Sequence, residues 1–289
     1  MRRSLGLLGL TLALTAPLAP GAPAAAAAAP LDCTTVITGV DADQHVVGMV
    51  TEDGRVTDSE RSHDALPFDP TGLVYRGTEV LRRGYTLILD AAVPGGVVRE
   101  VRVTDKDRTD GLGLETGPRF RNTRFAPRLF AASFGTTVYT VDGDVLHRWF
   151  RKVDADGRLR YGGRSTLPAA TRRWTALQYV GTFDVRGVRT EYLVATTDAG
   201  ALKLVRVPFR QQQRTSVRTL ATEGYAGVTE LSAGTCDGSP SRVVLTAIDA
   251  AAGTATWTTV RDIRRATRDT TRLRGAVTGA DTWALHAVF

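Results

Sequence analysis

Ser62, His63 and Asp64 stand side by side and carry the residue types of a hydrolytic triad. That chemistry needs a nucleophile within reach of a base, with the base held by a third group. Three consecutive side chains point in different directions, and no Gly-x-Ser-x-Gly elbow occurs in the chain. The run reads as a solvated, polar loop. His45, His63, His147 and His286 are widely spaced, with no His-Glu-x-x-His or Cys-x-x-Cys pattern among them, so a zinc site has no support.

Carboxylates offer more. Asp105, Asp107, Asp110 and Glu115 cluster in a stretch that also holds Gly111 and Gly113. Oxygen ligands on a flexible, glycine-bearing loop can wrap Ca²⁺. The EF-hand spacing is not met, because Asp110 falls where that loop requires glycine. A solvated hairpin loop competes with the calcium reading. Asp154-x-Asp156-Gly157 fails the same test, with Arg158 at the next ligand place. Paired acids could also serve a glycosidase, but the aspartates here fall at turns and none stands out as buried.

Sugar binding makes a different demand, an aromatic ring on which the apolar face of a pyranose can lie. Trp149, Trp174 and Trp283 are the candidates, and Trp257 completes the set of four tryptophans. The competing reading is that each indole packs in the interior.

These residues must be held by strands. No long stretch shows apolar residues at helical spacing, whereas short β-branched and aromatic runs recur between Asp and Gly clusters. Asp53-Gly54, Asp142-Gly143 and Asp156-Gly157 supply the dipeptides that tight hairpins favour. One shape repeats five times: an alternating strand, a turn, and a second alternating strand. The pairs are 36–41 with 45–50, 87–92 with 97–103, 138–142 with 145–150, 192–198 with 201–207, and 244–249 with 254–260. The turns recur about every 50 residues. Further apolar runs at 72–75, 128–132, 175–180, 228–233 and 282–289 supply an innermost strand. The last of these would complete the set that begins at Cys33, and a five-bladed β-propeller closed between N- and C-terminal segments follows. Cys33 and Cys236 lie just before the first strands of repeats one and five, which would be neighbours, so a disulfide between them is expected.

Residues 130–150, Phe-Ala-Ala through Val-Tyr-Thr-Val-Asp-Gly-Asp-Val-Leu-His-Arg-Trp-Phe, with the Trp174–Val180 run that follows, resemble a repeat of tachylectin-like β-propellers. The resemblance implies a five-bladed fold that binds N-acetylated sugars in pockets between blades, without catalysis. The Asp-Asn-Trp signature of the animal lectin's repeats is missing, so fold transfers more readily than binding residues.

Residues 1–30 read as a signal peptide: Arg2 and Arg3, an apolar Leu5–Leu18 stretch, and small residues from Ala24 to Ala29 before Pro30. Residues 31–289 then form the single propeller domain, and no segment reads as a transmembrane helix. The formal charge is +7, and all but Lys106, Lys152 and Lys203 of the 37 basic residues are arginine. They are scattered among acids, which argues against nucleic acid as a partner. The expectation is a secreted, monomeric, non-enzymatic protein that binds extracellular or cell-wall glycan. A secreted glycosidase-like hydrolase on the same fold and a protein–protein interaction module are the alternatives.

Overall fold

Five antiparallel units follow one another along the chain, and each winds from one strand directly to its neighbour. The structure is a computed structural model and describes residues 31–105, 112–121, 127–133, 136–153, 159–280 and 283–289. The leader 1–30, Asp107, Asp110 and Asp156-Gly157 lie outside the described residues.

Unit one holds β1 (Cys33–Val40), β2 (His45–Glu52) and β3 (Arg55–Ala65). Unit two holds β4 (Gly72–Val80), β5 (Tyr85–Val93), β6 (Val97–Asp105) and β7 (Leu112–Arg121). Unit three is β8 (Leu129–Ala132), β9 (Thr137–Asp142), β10 (Val145–Val153) and β11 (Leu159–Leu167). Unit four is β12 (Trp174–Val185), β13 (Val188–Thr197), β14 (Leu202–Pro208) and β15 (Ser216–Ala221). Unit five is β16 (Glu230–Cys236), β17 (Ser239–Asp249), β18 (Thr254–Val260) and β19 (Thr271–Ala276). No helix among the described residues is long and apolar enough to cross a membrane.

Hydrogen bonding joins units five, one and two into an 11-stranded sheet and leaves units three and four as separate four-stranded sheets, none of them closed. The joins are short. β1 meets β16 at two residue pairs, and β3 meets β7 at Ser62 and Leu112 alone. Unit one gains a fourth member from segment 283–289: His286 N–H donates to the Val40 carbonyl at 2.8 Å, and Phe289 N–H to that of Thr38 at 3.0 Å.

The cores lie between units. Leu73, Leu89 and Val101 of unit two pack with Val40 and Val46 of unit one. Val74 and Val98 pack with Trp149 and Tyr161 of unit three. Tyr139 and Leu146 pack with Leu193 and Val205 of unit four, and Tyr192 and Leu204 with Leu231 and Leu245 of unit five. Ile248 and Ala255 of unit five pack with Ile37 and Met49 of unit one, which returns the series to its start. The first strands follow the same order, β4 beside β8, β8 beside β12 and β12 beside β16. Segment 283–289 lies next in that series. Glu230 of β16 accepts its Ala287 and Val288 N–H groups at 3.1 and 3.2 Å, and the Phe289 ring stacks 6.2 Å from Tyr75 of β4.

The paired repeats of the sequence correspond to β1–β2, β5–β6, β9–β10, β13–β14 and β17–β18. The outermost strands β3, β7, β11, β15 and β19 have no counterpart among the repeats of the sequence. Such strands carry polar sequences where much of their surface faces water; Arg55–Ala65 is mostly exposed. Ser62-His63-Asp64 is therefore strand rather than loop, and the pleat sends Ser62 inward while its neighbours stay exposed. Ser62 Oγ accepts from Val46 N–H at 3.0 Å and donates to the Asp64 carbonyl at 2.7 Å, a structural use of the hydroxyl.

The expected disulfide is present between Cys33 and Cys236, 203 residues apart. Beside it, a Cβ on Gly234 would come 1.9 Å from the Thr34 carbonyl oxygen, so only glycine lets the two backbones approach this closely. Replacing both cysteines by alanine is expected to lower the unfolding free energy by about 2–5 kcal/mol in urea titrations. Glu230 makes a second prediction. Desolvation pushes its carboxyl from 4.5 up to about 7, against the opposing pull of the two backbone donors. A raised carboxyl favours the folded state most when protonated, so its contribution is full below pH 4.5 and is lost as pH rises to about 7. The melting temperature should fall over that window, and Glu230→Gln should flatten this fall, its one amide oxygen keeping an acceptor for one of the two N–H groups.

Candidate functional site

A cleft of about 130 Å³ opens between units one and two, where the interunit core ends. Two strand ladders build it. On unit two, Tyr85, Asp105 and Leu112 stand opposite one another across β5, β6 and β7. They continue the face that buries Leu89 and Val101 deeper in. On unit one, Val36, Val50 and Asp58 form one cross-strand row, and Thr38, Gly48 and Glu60 form the next. Gly48 borders the gap, where a Cβ would lie in ordinary contact with Leu112 at 3.8 Å.

Asp105 is the distinctive group. It is 5 % exposed, lines the cleft, and its carboxylate has no hydrogen-bond or ion-pair partner among the described residues. Its oxygens therefore open on the cleft, where a ligand donor can reach them. Tyr85 beside it is 38 % exposed and Val36 is 56 % exposed, so apolar surface flanks the acceptor. Asp58 and Glu60 add negative charge on the facing wall. The arrangement suits a ligand that offers O–H or N–H donors along one edge and an apolar face along another.

The other sequence candidates go elsewhere. The β6–β7 register pairs Asp105 with Leu112 and Arg102 with Glu115, an odd offset that places Asp105 and Glu115 on opposite faces of the sheet. These two acids of the calcium reading do not meet; Asp107 and Asp110 lie outside the described residues, and the described residues contain no cluster of three metal-ligating side chains. Trp149, Trp174 and Trp283 are all buried. Trp149 packs between units two and three and donates its indole N–H to Thr140 Oγ1 at 2.9 Å. Trp174 belongs to the core between units three and four, and Trp283 to that between units five and one. None presents an open ring face for a sugar. Tyr85, Asp58 and Glu60 were missed because they come from three strands with nothing in their local sequence to join them.

The most deeply buried acids serve the unit boundaries. Asp90 of β5 accepts from Tyr161 Oη at 2.6 Å and contacts Arg151 at 2.9 Å and Arg76 at 3.3 Å. Glu191 of β13 accepts from Tyr139 Oη at 2.6 Å and lies 3.3 Å from Arg148. The Arg148 guanidinium is itself fully buried, 4.2 Å over the Phe209 ring and 4.8 Å over that of Phe150. Burial, and then the neighbouring carboxylate, push both tyrosine hydroxyls well above their usual range, so they remain donors. Each carboxylate thus ties one unit to the next. Asp90→Asn would remove the buried carboxylate charge that Arg151 and Arg76 share, and should cost about 3–5 kcal/mol in denaturant unfolding.

The chain matches no protein-family model and no curated protein.

Proposed function

We propose that this chain is a secreted, non-catalytic binding protein, a five-bladed β-propeller of tachylectin-like plan that holds a glycan in the cleft between units one and two. The blade count is supported by the series of five interunit cores that returns from unit five to unit one, and by segment 283–289 lying where a first strand of unit one belongs. Export is supported by the composition of residues 1–30 and by a disulfide compatible with an oxidising compartment. The observation that carries the binding reading is Asp105, a largely buried residue whose carboxylate lines the cleft with no partner among the described residues, set across β5–β6 from the partly exposed Tyr85. Sugar hydroxyls supply the donors, and the axial C–H face of a pyranose suits the tyrosine ring.

A glycan array followed by calorimetry on the best binder tests this. Asp105→Asn and Tyr85→Ala should each weaken binding at least tenfold, with the unfolding midpoint held within a few degrees. Folded protein that binds no glycan, or binding indifferent to both substitutions, would overturn the proposal.

A further inference from the structure

Arginines that are scattered in the sequence are gathered by strand pairing on unit five. Thr259 of β18 stands opposite Arg272 of β19, and the Arg261 N–H bonds to the Thr270 carbonyl at 3.1 Å, one pleat period further along the same face. Arg242 on β17 and Arg274 on β19 flank them, and Arg274 Nε donates to Thr259 Oγ1 at 2.9 Å. Together these residues line a cleft of about 350 Å³ beside the Cys33–Cys236 bridge. Asp269 is the one acid among its lining residues. Arg242 is ion-paired to Asp237, whereas Arg261 and Arg272 have no ion-pair or side-chain hydrogen-bond partner among the described residues.

We infer that this cleft is an oxyanion site for an anionic polysaccharide, separate from the acidic cleft between units one and two. Guanidinium groups crowded on one face repel one another, and a bound sulfate, phosphate or uronate group would relieve that repulsion. The planar fork of arginine grips such oxyanions through two parallel N–H bonds, and Thr259 and Thr270 offer further hydroxyl donors. The volume lies at the lower end of the range for small-ligand pockets, enough for one charged sugar residue. No aromatic side chain lines the cleft, so it lacks the stacking platform on which single-stranded nucleic acid depends. Polysaccharide is the anionic polymer that the residue chemistry favours.

The test uses the intact, disulfide-bonded protein with dextran sulfate as probe, uncharged dextran as control and an RNA homopolymer as competitor. Dextran sulfate should bind with an affinity that falls steeply with salt, and dextran should not bind. Arg261→Gln combined with Arg272→Gln should weaken binding at least tenfold. Arg82→Gln combined with Arg83→Gln removes the same charge from the exposed turn between β4 and β5 and should change binding less than twofold. Equal losses in the two double variants would show attraction to net charge alone and overturn the site. Absence of dextran sulfate binding, or RNA displacing it at equal charge concentration, would also overturn the proposal.

Discussion

A β-sheet with apolar side chains on both faces must be covered on both, and that requirement organises this molecule. β13 is the clearest case, with its last eight positions all buried. One face of unit four meets unit three and the other meets unit five, and every other unit is likewise covered by the one before and the one after. No unit owns a core of its own. Stability is therefore shared along the whole series, and damage at any boundary uncovers two sheets at once.

The boundaries are not built from hydrocarbon alone. Asp90 and Glu191 sit fully buried among arginine and tyrosine partners drawn from the adjacent unit. Buried pairs of this kind add little net stability over a well-packed apolar contact, yet removing one partner is severe. Their value here is directional: a carboxylate that must meet a particular arginine and a particular tyrosine fixes how far one sheet slides over the next. Apolar packing between twisted sheets leaves that displacement loosely determined.

The inner and middle strands were legible in the sequence for the same reason that they are stable. Burial on both sides demands dense apolar runs such as Tyr192–Thr197 and Val243–Ile248, and turns that bear Asp and Gly follow them. The outermost strands face water and leave no such mark, as the polar β3 shows. The disulfide was legible because the repeat phase made its two cysteines neighbours. The tryptophans left two readings open, because a strand residue can point inward or outward and composition alone does not say which. Asp105 stood out as an acid, but its surroundings depend on strand register with β5 and β7 and on packing against unit one. The arginine face of unit five was likewise invisible, since Arg242, Arg261, Arg272 and Arg274 meet only once three strands have paired.

Segment 283–289 has a consequence for how the chain reaches this state. It completes unit one by pairing with residues near position 40, and its Trp283, Leu285 and Val288 help cover Ile37 and Met49. Nearly the whole described chain must therefore be present before the first unit can be finished. A sequence-distant contact of this kind makes the last step of folding slow and entropically demanding. Until that step, Ile37, Val47 and Met49 lack part of their cover and invite association with other chains. Completion of unit one is thus tied to a segment far along the chain, so β1 of a chain emerging vectorially lacks this partner until residues 283–289 have been made.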